Sequence, residues 1–344
     1  MENNVLVSKL LRVSIGLPIV AAVGLIIGGC SNDSVSESAA AKPKVFRVAH
    51  VYGPNELLHK AVERFAEQVE NDSNGNIAVR LYPAGQLGKE RETFEGLRLY
   101  SIDMMIAGSS IFGWYIPEYT VIDTPFLFRD YDHIRKVWNG EIGDDMRTLM
   151  KKRTGAEMLE IWFRGPRYLT TSSKIVRSPA DLAGFKLRVP EFEIYVKAWQ
   201  ALGANVTPIP VTDLFMALKL GVVEGQENPL ATIYGNNLHE VQRYIMRTEH
   251  LLGIFIVCVD QSFRQRFTQQ EQWIILKAVE DATDWYNTEL LAAEKEYEHL
   301  LIQFGTEFID VDKEAFSSVI RENIPPLFEN RWAPDILKQI NDIP

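Results

Sequence analysis

Two stretches of the chain alternate strand-like runs with segments of helical period, and this alternation restricts the fold more than any other feature. Val45–Val51 is rich in apolar and β-branched residues and predicts a strand. Gly53-Pro54-Asn55 then opens a helix whose apolar residues Leu58, Val62, Phe65 and Val69 recur at every third or fourth position. After the turn Asp72-Ser73-Asn74-Gly75 come a strand at Ile77–Tyr82, a helix at Glu90–Leu99 and an almost wholly apolar strand at Ile102–Ala107. The second half repeats the class. Strands are expected at Ala156–Phe163, Phe185–Val189 and Val206–Pro208, around Val222, and at Leu251–Val259. Between them lie a short helix from Ser178 to Gly184, a helix at Glu193–Leu202, and one at Asp213–Leu220 capped by the Thr212 hydroxyl. Such alternation is an α/β pattern with a parallel sheet. A helical stretch from Gln269 to about Phe304, carrying Trp273, Leu276, Val279 and Trp285, would span ~50 Å at 1.5 Å per residue. That exceeds one lobe, so the helix bends or runs as a spine shared by two.

The N-terminus fixes the compartment. Lys9 and Arg12 precede an uncharged apolar run, Val13–Ile27, and the small residues Gly28-Gly29 lead into Cys30. A basic start, a short apolar core and small residues before a cleavage point make a secretory signal. The core is shorter than the ~20 apolar residues a spanning helix needs, although a plain helical anchor is the alternative. The small-small-Cys ending resembles a bacterial lipobox, which implies cleavage before Cys30 and a lipid on it. Ser31 in the next position resembles an outer-membrane sorting signal. Residues 1–29 are therefore expected to be a signal peptide, and residues 30–44, rich in Ser, Ala and Asn, a lipidated flexible tether. No later segment is apolar enough to span a bilayer, so the body is extracytoplasmic. Its formal charge of −10 argues against nucleic acid and anionic lipid as partners. An anionic ligand would have to be held by local positive charge.

Open α/β sheets bind ligands at the carboxyl ends of their strands. His50 follows the first strand, Gly108-Ser109-Ser110 the third, and Glu224 to Pro229 the short strand around Val222. Arg188 lies one residue from the end of Phe185–Val189, where alternation turns it away from the apolar side. A guanidinium forks onto a carboxylate with two parallel bonds and keeps its proton, which suits capture rather than proton transfer. Cys258 sits in an apolar run and reads as an inert buried thiol, not a disulfide partner of Cys30. His133, His239, His250 and His299 lack metal-ligand spacing, so no metal is expected, and no cofactor either. Trp114, Tyr115, Phe126 and Phe128 read as core, with lining of the cleft as the alternative. No nucleophile–base motif is present, and an enzyme is not expected.

At these residues the chain resembles the solute-binding subunit of TRAP transporters, the tripartite ATP-independent periplasmic (DctP-like) family. Leu81 to Gly88 is similar to the first family block, with Gly96-Leu97 through Met104 after it. Gly165-Pro166-Arg167 through Ser172 is similar to the second, Pro179 to Pro190 to the most diagnostic, and Ala217-Leu218 to Pro229 to another. The resemblance covers Val45 to about Asn330. It implies a two-lobed periplasmic-binding-protein-like fold with mixed and parallel sheets, hinge strands and a long lobe-spanning helix. It implies one lobe from residues 45–164 plus 254–290 and a second from 165–253 plus 291–344. Arg188 would pair with the ligand carboxylate, with Arg167 as a second arginine (or else tied to Asp181) and Asn228 as a ligand-side amide. His50, Ser109 and Glu191 would contact the rest of the ligand. Sialic-acid-binding members carry a glutamate where this chain has Gly108, which favours another sugar acid such as a uronate. A C4-dicarboxylate or another hydroxy or oxo acid is the alternative ligand. The implied partners are the small and large membrane permease subunits, or, if the protein is a sensor, a signalling receptor.

Overall fold

The structure, a computed structural model, describes residues 42–344. The expected signal peptide, Cys30 and most of the tether lie outside the described residues. The body begins one residue earlier than Val45: Lys44 opens β1 (Lys44–Ala49), and its ammonium lies 2.6 Å from Glu271.

The further strands are β2 (Ile77–Tyr82), β3 (Met104–Gly108), β4 (Glu157–Thr171), β5 (Lys186–Val189) and β6 (Asn205–Pro208). They continue with β7 (Gly225–Pro229), β8 (Tyr244–Met246), β9 (Leu252–Val259) and β10 (Glu307–Ile309). Among the described residues they form one ten-stranded sheet: eight strands in the order β2-β1-β3-β9-β4-β7-β5-β6, with β8 beside β4 and β10 beside β8. β1 runs parallel to β2 and β3, and β5 parallel to β6 and β7. β9, however, is antiparallel to β3 and β4, and β4 is antiparallel to β7. The sheet is therefore mixed, not parallel throughout.

β4 joins two lobes. Its first part pairs with β9 and its last part with β7 and β8. The sequence suggested a strand at Ala156–Phe163, ending ahead of Gly165-Pro166. The chain instead passes through it: Gly165 takes φ +82°, a left-handed conformation that glycine adopts freely, and the register slips between Phe163 and Gly165. A Cβ here would lie 2.4 Å from Glu294 on the helix behind, so the close approach also requires glycine.

Helix Leu57–Asp72 buries Leu58, Val62, Phe65 and Val69 against the first lobe's sheet as its period predicted. Each such side chain contributes about 1.5–3 kcal/mol. The long helix, Gln269–Gln303, starts with a capping box between Thr268 and Glu271. It is tied to β4 by Trp162 donating to Thr283 and by Asn287 accepting from the Phe163 N–H, both at 2.7 Å. Its buried stripe is Ile274, Ile275, Ala278, Val279, Ala282, Tyr286 and Leu290, while Trp273 faces solvent. Leu301, near its end, belongs to a separate cluster under the second lobe with Leu214, Leu218 and Ile233.

Three local expectations change. Val222 lies in a turn, and the strand begins at Gly225, which places Asn228 within β7 instead of in a loop after it. Helix Val211–Lys219 begins at Pro210 without a side-chain cap, and among the described residues the Thr212 hydroxyl hydrogen-bonds only Asp213. The last segment, assigned from sequence to the second lobe, docks on the first. Trp332 donates to Thr120 (3.0 Å), and His133 bonds the Ile340 carbonyl (2.9 Å).

Candidate functional site

The strand ends of both lobes face one cavity of ≈ 460 Å³. The lobes meet around it. Lys89 and Asp213 pair across the mouth at 3.0 Å, and the rings of Trp114 and Phe192 lie 4.8 Å apart. Trp114 and Phe192 are thus cleft residues as well as packing residues. At the rear, Glu56 of the first lobe accepts from Thr232 (3.1 Å) and Asn236 (2.7 Å) of the second.

β5 carries Arg188 to the cavity wall. The side chain is buried, and its Nε donates to the Ile209 carbonyl at 2.7 Å. Among the described residues neither terminal nitrogen has a hydrogen-bond or ion-pair partner, which leaves the fork toward the cavity. Burial pulls its pKa down to about 10, Glu227 opposes this, and Arg167 and Arg164 add to it. It remains a cation at neutral pH.

Arg167 is arranged differently. Its Nε and Nη2 bind Glu227 at 2.5 and 2.7 Å, and Nη2 also reaches the Asn228 side-chain oxygen at 3.1 Å. Burial alone would raise the Glu227 pKa, but Arg167 and His250 outweigh it and hold the carboxyl at about 2. The Asp181 partnership weighed from sequence does not form, because Asp181 caps its own turn through the N–H groups of Arg177 and Ser178. Asn228 also lines the cavity, and its amide donates to Gln226 at 2.5 Å. Gln226 donates onward to Thr170 at 2.9 Å, which donates to Gln242 at 2.8 Å. A buried network this complete fixes side-chain positions more than it adds stability.

Two of the expected contacts do not reach the cavity wall. His50 lies behind Tyr52, its Nε2 3.1 Å from Nδ1 of His59. Burial, with His59 adding, lowers its pKa to about 3, so it is neutral. Ser109 turns inward and donates to Asp123 at 2.6 Å, while the next residue, Ser110, faces the cavity. In both cases the sequence located the strand end, but the register after the last paired residue decided which side chain faced out. Glu191 is exposed and does line the cavity. Missed from sequence were Tyr52, Glu90, Tyr195 and Arg164. Glu90 lies two residues after the first family block, and Arg164 precedes Gly165-Pro166; those adjacencies were the available signals.

The wall offers fixed cations, an amide, hydroxyls and carboxylates. Among the described residues no three His, Cys, Asp or Glu side chains converge as metal ligands. Nor is any described helix long and apolar enough to cross a membrane.

The sequence pattern of the bacterial extracellular solute-binding proteins, family 7 (DctP), matches residues 48–332. The chain belongs to this family. DctP proteins are the periplasmic solute-binding subunits of TRAP transporters, transport proteins that bind small organic acids and work with TRAP membrane subunits. A DctP relative from Roseobacter denitrificans, a solute-binding protein, is 32% identical over 90% of this chain and 97% of its own length. The structure of that protein with bound L-galactonate superimposes with a TM-score of 0.81 and 29% identity, covering 88% of this chain and 99% of that one. A TRAP solute-binding protein from Sulfurospirillum deleyianum with bound succinate gives 0.83 and 28%, covering 88% and 99%. The two-lobed α/β fold expected from the sequence is the fold of this family.

Proposed function

We propose that this TRAP solute-binding protein captures a sugar acid, an aldonate or uronate, through Arg188 and delivers it to the small and large permease subunits. The observation that carries this is the Arg188 fork, buried in the wall, cationic and unmatched by a protein carboxylate. Leaving such a charge unpaired is costly, and a ligand carboxylate relieves it. Arg167 and Asn228 complete the wall from the second lobe, with Arg167 holding its place through Glu227. Glu191, at the rim, reads the ligand's outer hydroxyls. The ligand binds better to the closed arrangement, so its arrival draws the two lobes together. The lobes comprise residues 45–164 with 254–290, and 165–253 with 291 to about 324. The mature protein is held at the membrane by lipid on Cys30.

A thermal-shift screen with L-galactonate, D-galacturonate and succinate tests this. A cognate acid at 100 times its dissociation constant adds ~2.7 kcal/mol of stability, a rise of several degrees. Should none of the acids raise the midpoint, the ligand class is wrong.

A further inference from the structure

The register slip in β4 has a consequence for the cavity. Phe163 faces Ile254 on β9 and Gly165 faces Gly253, so Arg164 is the extra residue of a bulge. Strict alternation would send residues 164 and 167, an odd number apart, to opposite faces. One bulge restores their parity, and both Arg164 and Arg167 line the cavity. Gly253 makes room, and Gly108 lies beside the guanidinium. A Cβ at Gly253 would touch the Arg164 side chain at 3.2 Å, and one at Gly108 would lie 3.5 Å from its Nη1.

Arg167 is matched by Glu227, but Arg164 has no carboxylate partner among the described residues. It lies against two rings instead, its guanidinium carbon 5.1 Å from the Tyr52 centroid and 4.3 Å from that of Phe255. Its Nε is buried without a partner. Cation–π contact with two rings holds the guanidinium in place while leaving its N–H donors uncommitted. The facing acceptor is Glu90. Its Oε1 takes the Gly108 N–H (2.7 Å) and the Tyr52 hydroxyl (3.3 Å), and Oε2 makes no hydrogen bond to a described residue. Glu90 and Arg164 are both near the missing Gly108 side chain, yet they form no ion pair within 4.0 Å. A fixed donor and a fixed acceptor thus flank one gap without satisfying each other.

We infer that Arg164 and Glu90 form a hydroxyl-reading subsite on the first-lobe side of the cavity, making this protein selective for polyhydroxy monocarboxylates over dicarboxylates. A hydroxyl is the group that accepts from Arg164 while donating to Glu90. A second carboxylate placed there would meet Glu90 as a like charge, although Arg164 alone would welcome it. The inference rests on the proposed binding of an acid by Arg188 and adds residues that the proposal does not use.

Calorimetry on the mature protein with L-galactonate, D-galacturonate and succinate tests it, using Glu90→Gln, Arg164→Gln and the double variant. Each single change should weaken L-galactonate by about 10-fold or more, as expected for a lost hydrogen bond to a charged group. The double variant should be scarcely worse than either single one, because both residues hold the same hydroxyl. Unchanged L-galactonate affinity in both single variants, with Arg188→Ala still abolishing binding, overturns the subsite and leaves the Arg188 proposal standing. Fully additive losses, or a greater loss for succinate than for L-galactonate in Arg164→Gln, also overturn it. Should Arg164→Gln fail to fold, the near-isosteric Glu90→Gln decides by its L-galactonate affinity alone. Failure of every acid to bind the unaltered protein rejects the proposed function itself.

Discussion

Glu227 holds Arg167 through two guanidinium nitrogens, at 2.5 and 2.7 Å, with both side chains essentially closed to solvent. Arg188, its neighbour in the same wall, has no such partner. The contrast separates two roles for like residues: one cation is spent on building the wall and the other is kept for the ligand. Glu227→Gln should therefore destabilise the fold. Leaving one partner of a buried pair uncompensated costs about 3–5 kcal/mol, to be read as a lower urea midpoint.

The same pair sets an acid limit. The Glu227 pKa is held down at about 2 in the folded protein against an ordinary 4.5. Its contribution is complete above the ordinary value and is lost as pH falls from about 4.5 toward 2. Stability measured across that window should decline in the unaltered protein, with a shallower decline in Glu227→Gln.

Arg188→Ala should cost about 2–5 kcal/mol of ligand affinity, a loss of roughly 30-fold to several thousand-fold. The unliganded protein should keep its melting temperature or gain slightly, since a buried unpaired charge is removed. Unchanged affinity by calorimetry would remove Arg188 from the site.

Trp114 and Phe192 touch across the cleft at 4.8 Å. An aromatic pair adds about 0.5–1.5 kcal/mol beyond its buried area. Trp114→Ala should favour the open form, which small-angle scattering would register as a larger radius of gyration. It should also speed ligand release by about 2–10-fold.

Cys30→Ser should move the protein from the membrane fraction to the soluble fraction. Persistent membrane attachment would favour a plain helical anchor over a lipid.

Much of the fold was legible because its signals are local. The helix Leu57–Asp72 announced itself by its apolar stripe, and the long helix by its length and its apolar residues Leu276 and Val279. The continuity of β4 was not legible, because Gly165-Pro166 signals a break and only the β9 partner shows the chain running through it. Arg188 and Arg167 stood out by their blocks, and both lie at the cavity. His50 and Ser109 were misplaced, because the residue that turns outward after a strand depends on the connection that follows. Arg164 was missed for a related reason. A bulge changes parity, and no periodicity in one strand's own sequence reveals it.

The C-terminal segment that returns to the first lobe, fixed by Trp332 on Thr120 and Ile340 on His133, completes a set of four chain passages between the lobes. The others are β4, the approach to β9 and the long helix. Each passage removes mechanical degrees of freedom. A single tether would let one lobe spin, slide or tilt relative to the other; four leave little besides bending. Gating then needs no specific steering by the ligand, only a small bias along the one soft coordinate that the backbone already permits.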